Sequence, residues 1–274
     1  MRGNTIRWRG PRTERGLAGL DLATRALARA RRVLVVTGAG ISVAAGLPPY
    51  RGVGGLYTAS EGNLAVPDFL MSEAMPASVA DLRDYTARLR EQVESVRPTA
   101  AHVALAEWIA SSAAEGRTVT LTTTNVDDLH ERAASKTDGV PGPVHHLHGS
   151  VFANRCLDSG CGWNLVPDVR PSAARATCAS CGGPSRPDVV LFGEELAIDA
   201  HWNTRNAVRE CDALLVVGSS MTTWTVPKLL RYAIDVQATS VAVNPSAEAC
   251  EGFEHRLVAN ADDVLPLLLA PPRG

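Results

Sequence analysis

An apolar run, Val33-Leu34-Val35-Val36, ends at Thr37-Gly38-Ala39-Gly40 and leads through Ile41-Ser42-Val43-Ala44-Ala45-Gly46-Leu47-Pro48-Pro49-Tyr50-Arg51. With no polar residue alternating in it, the run suits a strand buried on both faces of a parallel sheet. The glycines then turn the chain. They let backbone approach a phosphate where a Cβ would clash, and the N–H groups of a helix start favour anions. Gly38-x-Gly40-x5-Gly46 lacks the third-glycine spacing of the usual dinucleotide fingerprint, so alone it also fits a strand-to-helix turn with packing glycines. Pro48-Pro49 stiffens the exit, and Arg51 arrives where a diphosphate or carboxylate could be clamped.

The rest of the chain repeats the strand–helix rhythm. Residues 17–31 read as an amphipathic helix leading into the first strand, 81–96 as a charged helix stopped by Pro98, and 100–113 as another helix. Strand-like runs follow at 118–124, 213–217 and 240–243. Such alternation predicts an α/β fold, a doubly wound Rossmann-like parallel sheet with a smaller inserted zinc-ribbon/helical domain. The expected division is a flexible N-terminal arm over 1–16, and a Rossmann-like domain from 17–52, 98–152 and 188–270. Between its pieces come a cofactor loop with the helical part of the small domain over 53–97, and a zinc-binding module over 153–187. Residues 52–67, rich in Gly, Ser and Asn, read as a mobile loop over a site.

The formal net charge of −2 gives no field that would demand nucleic acid. The arginines are scattered, and only Lys136 and Lys228 are lysines. No apolar run reaches the ~18 residues of a membrane span, and the Arg-rich start is followed by no apolar segment of a secretory signal. A cytoplasmic protein with no membrane partner follows by elimination. Six cysteines in a chain of 274 residues do not make a disulfide framework. Instead Cys156-x4-Cys161, sixteen residues, then Cys178-x2-Cys181 is a zinc-ribbon spacing. Two pairs of thiolates can enclose one Zn²⁺ in a tetrahedron, with no open position, so the metal would be structural. A module this poor in apolar residues would draw its folding energy from the metal.

Three further stretches carry chemistry-bearing residues. Thr124-Asn125-Val126-Asp127-Asp128-Leu129-His130 follows a strand, at the edge where doubly wound sheets bind ligands. Asn125 offers a donor and an acceptor, and Asp127 can accept from sugar hydroxyls; a turn capping the next helix fits equally well. His148, in His145-His146-Leu147-His148-Gly149-Ser150, has the right chemistry for a general base but could equally be structural. Arg186-Pro187-Asp188-Val189-Val190-Leu191-Phe192-Gly193-Glu194 alone reads as a strand and turn.

Together these segments resemble the sirtuin family of NAD-dependent protein deacylases, whose first motif runs GAG-x-S-x3-G-[IL]-P-x-[FY]-R. The likeness spans residues 33–266, with six motifs in family order. It implies that NAD is consumed as co-substrate and held by Gly38, Ala39, Gly40, Ser42, Gly46, Tyr50, Arg51, Thr124, Asn125, Asp127, Gly218, Ser219, Ser220, Asn244 and Ala261. Thr124 stands where the family motif has Gln, near the nicotinamide-side ribose. The resemblance implies His148, Asn125 and Asp127 as catalytic residues. Residues Val189, Val190, Phe192, Gly193 and Glu194 would take an acylated-lysine protein or peptide as an added strand. His145 and His146 become bystanders. Tyr85-x-x-Arg88, one helical turn apart, matches a subgroup that binds acidic acyl groups such as succinyl or malonyl, although a solvated helix face fits too. Nicotinamide and O-acyl-ADP-ribose would be the products. Two other readings stay open: a mono-ADP-ribosyltransferase or NAD glycohydrolase on the same fold, and a non-enzymatic nucleotide-sensing zinc-ribbon regulator.

Overall fold

Val33 and Val35 pack into one apolar cluster and Leu34 and Val36 into another, so the run at 33–36 buries both of its faces. The computed structural model describes residues 4–7, 14–49, 55, 59–60, 63–64, 67–75, 77–137, 142–158, 160–161, 166–167, 177–178, 180–222 and 225–271. Tyr50, Arg51 and most of the expected loop at 52–67 lie outside them. In chain order the strands are β1 (Asn4–Arg7), β2 (Arg32–Thr37), β3 (Thr118–Thr123) and β4 (Val144–His146). Next come β5 (Gly149–Cys156), β6 (Val166–Pro167) and β7 (Ser185–Val189), then β8 (Ala213–Val217), β9 (Thr239–Val243) and β10 (His255–Val258). The helices are α1 (Glu14–Arg29), α2 (Val79–Ser95), α3 (Ala100–Ala114), α4 (Leu129–Ala134), α5 (Ile198–Glu210), α6 (Thr225–Asp235) and α7 (Ala261–Leu268).

Seven strands form one parallel sheet in the order β1-β10-β9-β8-β2-β3-β4. Leu27 of α1, Leu105 of α3 and Leu265 of α7 cover one face with Val33, Val35 and Leu215. Val208 of α5 and Leu229 of α6 cover the other with Leu34, Val36 and Leu214. Each such Leu or Val, fully buried, contributes roughly 1.5–3 kcal/mol. The doubly wound sheet is as expected. The chain runs outward from β2 through β3 to β4, then returns to β8 on the other side of β2, so the order reverses between β2 and β8. Ligand crevices in such sheets open there, at the carboxyl ends.

Two expected boundaries change. The 1–16 arm contains β1, which adds to the edge of the sheet beside β10, and the first turn of α1. An edge strand presents unpaired N–H and C=O groups to any extended neighbour, whatever its side chains. The antiparallel sheet of the inserted module also reaches beyond 153–187, since β5 starts at Gly149 and pairs with Val189 of β7. Helix α2 lies across this sheet: Leu82 joins Val151, Val189 and Leu191 in one cluster. The Arg90 guanidinium donates to the Val151 carbonyl at 2.8 Å, and that of Arg83 to the Ser185 carbonyl.

The glycines after β2 meet those after β8. Gly38 N–H donates to the Val217 carbonyl (2.9 Å) and Gly40 N–H to the Gly218 carbonyl (3.0 Å). A Cβ on Gly38 would lie 2.8 Å from the Gly218 oxygen, and one on Gly40 only 2.7 Å from the Gly218 Cα. What first forbids a side chain here is therefore the opposite loop, ahead of any phosphate. Gly218 has φ +63°, and its Cβ would meet the Ile41 nitrogen at 2.6 Å; Gly116, at φ +73°, has open space. Gly116→Ala should cost about 1 kcal/mol from its backbone alone. Gly218→Ala must also push two strand ends apart and should cost about 3 kcal/mol or more. Urea unfolding of both variants checks the difference.

Candidate active site

Beyond the glycine interlock, polar side chains gather at the carboxyl ends of β2 and β3. Buried strand ends that carry Thr rather than Val must satisfy their hydroxyls locally. Thr37 donates to Thr123 Oγ1 at 2.9 Å and accepts from His130 Nε2 at 2.8 Å; Thr123 Oγ1 in turn accepts the Asn125 N–H at 3.0 Å. The Asn125 side chain donates to Ser42 Oγ (3.2 Å), and Ser42 donates to Asp127 Oδ2 (3.1 Å). Asp127 Oδ1 accepts the Leu129 N–H that opens α4. Burial raises the Asp127 pKa above the ordinary carboxylate value, against the pull of the Leu129 and Ser42 bonds and the nearby His146.

A cleft of about 420 Å³ opens over these groups, lined by Ala39, Ser42, Leu47, Asn125, Val126 and Asp127 among others. Asn125 Oδ1 is buried there without a partner, as a site awaiting a ligand hydroxyl or amide would leave it. A second, mostly apolar pocket lies on the other side of His130, among residues such as Ile109, Leu121 and Val144. His148 is joined to the segment that lines the cleft through Thr124, the residue before Asn125. Its Nδ1 donates to the Thr124 carbonyl at 2.9 Å, which fixes the tautomer and leaves Nε2 as the acceptor. Burial lowers the His148 pKa, outweighing the Thr124 bond, so the ring is neutral at pH 7 and able to take a proton.

The expected cofactor residues divide by what the structure does with them. Ser42, Asn125 and Asp127 meet in one network, and Ala39 lines the same cleft. Gly46, at φ +97°, ends the turn that carries Ser42. The Thr124 hydroxyl turns back to the Thr37 carbonyl (3.2 Å), onto its own sheet. Ser220 bonds Thr222, and Asn244 is occupied in bridging the Ser219 carbonyl and the Ser246 N–H, which joins the ends of β8 and β9. Ala261 opens α7, past the end of β10.

On the proposed substrate side, the Val190 N–H donates to the His148 carbonyl at 2.9 Å, which puts the 189–194 segment directly beside that histidine. Phe192 pairs through its main chain with Leu70 and Ser72, and Gly193 adopts φ +88° against the Ser72 hydroxyl. Glu194 is engaged within the chain, accepting from Arg186 (2.6 Å) and the Leu191 N–H (3.0 Å). Tyr85 meets Phe69 in a tilted ring pair, centroids 5.4 Å apart, in the cluster that also holds Val189 and Phe192. Arg88, one turn along α2, is exposed.

The four zinc-spaced cysteines converge, with their sulfurs all within 4.8 Å of one another. Cys156 and Cys181 are 3.6 Å apart, and Cys161 and Cys178 3.8 Å. A ZnS₄ tetrahedron with bonds of about 2.3 Å has edges near 3.8 Å. Backbone N–H groups of Asp158, Ser180 and Gly183 point at three of the sulfurs, each at 3.4 Å. The donor set fits one structural Zn²⁺.

Fold and site thus define an α/β protein with a cleft at the carboxyl ends of β2 and β3 and a four-thiolate metal module in its inserted sheet. The Sir2 family model matches residues 38–225, so the chain belongs to the Sir2 family. It is 38% identical to NAD-dependent protein deacylase 1 of Pseudomonas aeruginosa, over 89% of this chain and 95% of that one. It is 29% identical to the mitochondrial NAD-dependent protein deacylase sirtuin-5 of Danio rerio, over 95% and 90%. A crystal structure of a Sir2 homolog–NAD complex superimposes with TM-score 0.74 at 28% identity, over 91% of this chain and 92% of that one.

Sequence reasoning missed the supporting histidines. His102 and His130 lie ring to ring at 4.7 Å; His102 caps α3 through Thr99, and His130 holds Thr37. Polar residues closing a buried strand, Thr122-Thr123-Thr124, were the available signal. Burial, reinforced by Arg132, pushes His102 down from 6.5 to about 4, and His130 falls well below 6.5 through burial and the neighbouring histidines. Between those values the unfolded chain binds protons that the folded chain refuses, so stability is lost as pH falls from about 6.5 toward 4. His102 alone should account for roughly 2 kcal/mol between pH 7 and 5. Urea midpoints at the two pH values should differ less in His102→Gln.

Proposed function

We propose that this protein is an NAD-dependent protein-lysine deacylase in which His148 is the general base. The observation that carries the reading is the adjacency around His148: its ring hangs from Thr124, next to the Asn125–Ser42–Asp127 network, while its own carbonyl holds Val190 of the expected substrate segment. One histidine thereby joins a cofactor side and a peptide side.

Bound NAD supplies an activated ribose carbon, at which the acyl oxygen of a modified lysine displaces nicotinamide. Asn125 and Asp127 orient the ribose and its leaving group; the orphaned Asn125 Oδ1 and the Asp127 carboxylate are the acceptors available to hydroxyls. His148 Nε2 would accept the proton of a ribose hydroxyl as that oxygen attacks the acyl carbon and return it to the lysine nitrogen, which leaves as the amine while a water supplies the carbonyl oxygen of the resulting ester. Val190 and Phe192 flank the lysine chain, and free main-chain positions in 189–194 pair with the peptide. Zn²⁺ on Cys156, Cys161, Cys178 and Cys181 holds the far end of β5 and takes no part in the chemistry.

Incubating the protein with NAD and acetyl-lysine peptide should release nicotinamide and deacylated peptide together. His148→Ala should lose at least about a hundredfold in turnover while keeping its zinc and its unfolding midpoint. Nicotinamide without deacylated peptide would favour glycohydrolase or ADP-ribosyl transfer. Tyr85, packed beside Phe192, with Arg88 one turn further, supports a preference for acidic acyl groups. Succinyl-peptide turnover should then fall in Arg88→Met by about tenfold relative to acetyl; equal loss of both rates would refute the preference.

A further inference from the structure

His146 is no bystander. It lies at the end of β4, and both of its ring nitrogens are taken: Nδ1 lies 3.0 Å from the Asn125 carbonyl oxygen and Nε2 2.7 Å from Glu131 Oε1 of α4. A carbonyl and a carboxylate are acceptors only, so both nitrogens must donate and the ring must carry both protons. The peptide it grips is the central one of the site. Asn125 donates its N–H to Thr123 Oγ1 and its side-chain amide to Ser42 Oγ, and follows the Thr124 carbonyl on which His148 hangs.

We propose that Glu131 and His146 form a positioning pair, an imidazolium locked between α4 and the Asn125 carbonyl that fixes the 124–127 segment for NAD and for His148. This rests on the deacylase reading for its consequence, though not for its geometry. Loss of one proton must sacrifice one of the two bonds. The carboxylate holds its N–H more strongly than a neutral carbonyl does, so Nδ1 is the nitrogen bared, and its lone pair then faces the Asn125 oxygen. The peptide is released and the segment loosens.

The groups facing the ring are Glu131 from α4, Asp127 from the cleft, His130 from the buried face and His145 from its own strand. Burial works against the charged ring, but the Glu131 bond and charge, the Asn125 carbonyl and Asp127 together raise its pKa above 6.5. His148 is shifted the opposite way. Activity should therefore rise as pH climbs through the His148 pKa and fall as it climbs through that of His146. Two histidines two residues apart set the two limbs of one bell.

The test reads ring protonation and turnover separately. Long-range ¹H–¹⁵N spectra of the full-length zinc-loaded protein should show His146 with both nitrogens protonated at pH 7 and His148 neutral. In Glu131→Gln the His146 titration should move down by about one pH unit or more. The alkaline limb of kcat/KM for NAD should move with it. His146→Asn keeps a donor toward the Asn125 carbonyl but cannot titrate, and should lose the alkaline limb. His146→Leu should lose kcat/KM for NAD by about tenfold or more. Zinc content and unfolding midpoints identify any variant that fails to fold, in which case the wild-type spectrum decides. A neutral His146 at pH 7, or an alkaline limb unmoved by Glu131→Gln, overturns the pair. Absence of NAD-dependent deacylation in the wild type would instead overturn the function and leave the spectra to judge the pair.

Discussion

Three glycines in mutual van der Waals contact, Gly38, Gly40 and Gly218, set the geometry on which everything else rests. They let the loops leaving β2 and β8 cross backbone to backbone at the point where strand order reverses. Ser42, which lines the cleft, follows directly on the first of these loops, and the two loops cannot be moved apart without separating the strands that carry them. A glycine-rich turn in such a sheet is usually read as room for a ligand. Here it is first room for the neighbouring loop, and the ligand inherits the shape.

The second constraint is the handling of residues 124–127. Three histidines from three elements hold it: His130 through Thr37 and Thr123, His146 at the Asn125 carbonyl, and His148 at the Thr124 carbonyl. Their environments push them to different protonation states. The fully buried His130 and the half-buried His148 are driven neutral, whereas His146 is kept charged by Glu131. Chemically identical side chains thus sit in different charge states according to what they face.

Much of this was legible in the sequence. The unbroken run at 33–36 announced a strand buried on both faces, and the cysteine spacing announced a four-thiolate cluster, because both signals are local. The Asn125, Asp127 and His148 motifs stood out through their family likeness, and the structure brings the three residues into one neighbourhood. What could not be read depends on pairing across the fold. β1 joins the sheet through main-chain groups that no side-chain pattern encodes. Gly218 meets Gly40 from far along the chain, and Glu131 meets His146 only because α4 folds back over the end of β4. The ion pair between Glu194 and Arg186 is likewise one that spacing alone does not reveal.

Strand β5 runs from Gly149, next to His148, to Cys156 of the four-thiolate cluster, with an irregularity in its pairing between Ser150 and Asn154. It behaves as a beam bolted at its distant end. Slackening the bolt, by oxidation of the thiolates or by metal starvation, would let the beam sag where Val190 leans against His148, with no atom of the crevice itself altered. A cell's zinc supply and redox balance therefore have a mechanical route into acyl-lysine turnover.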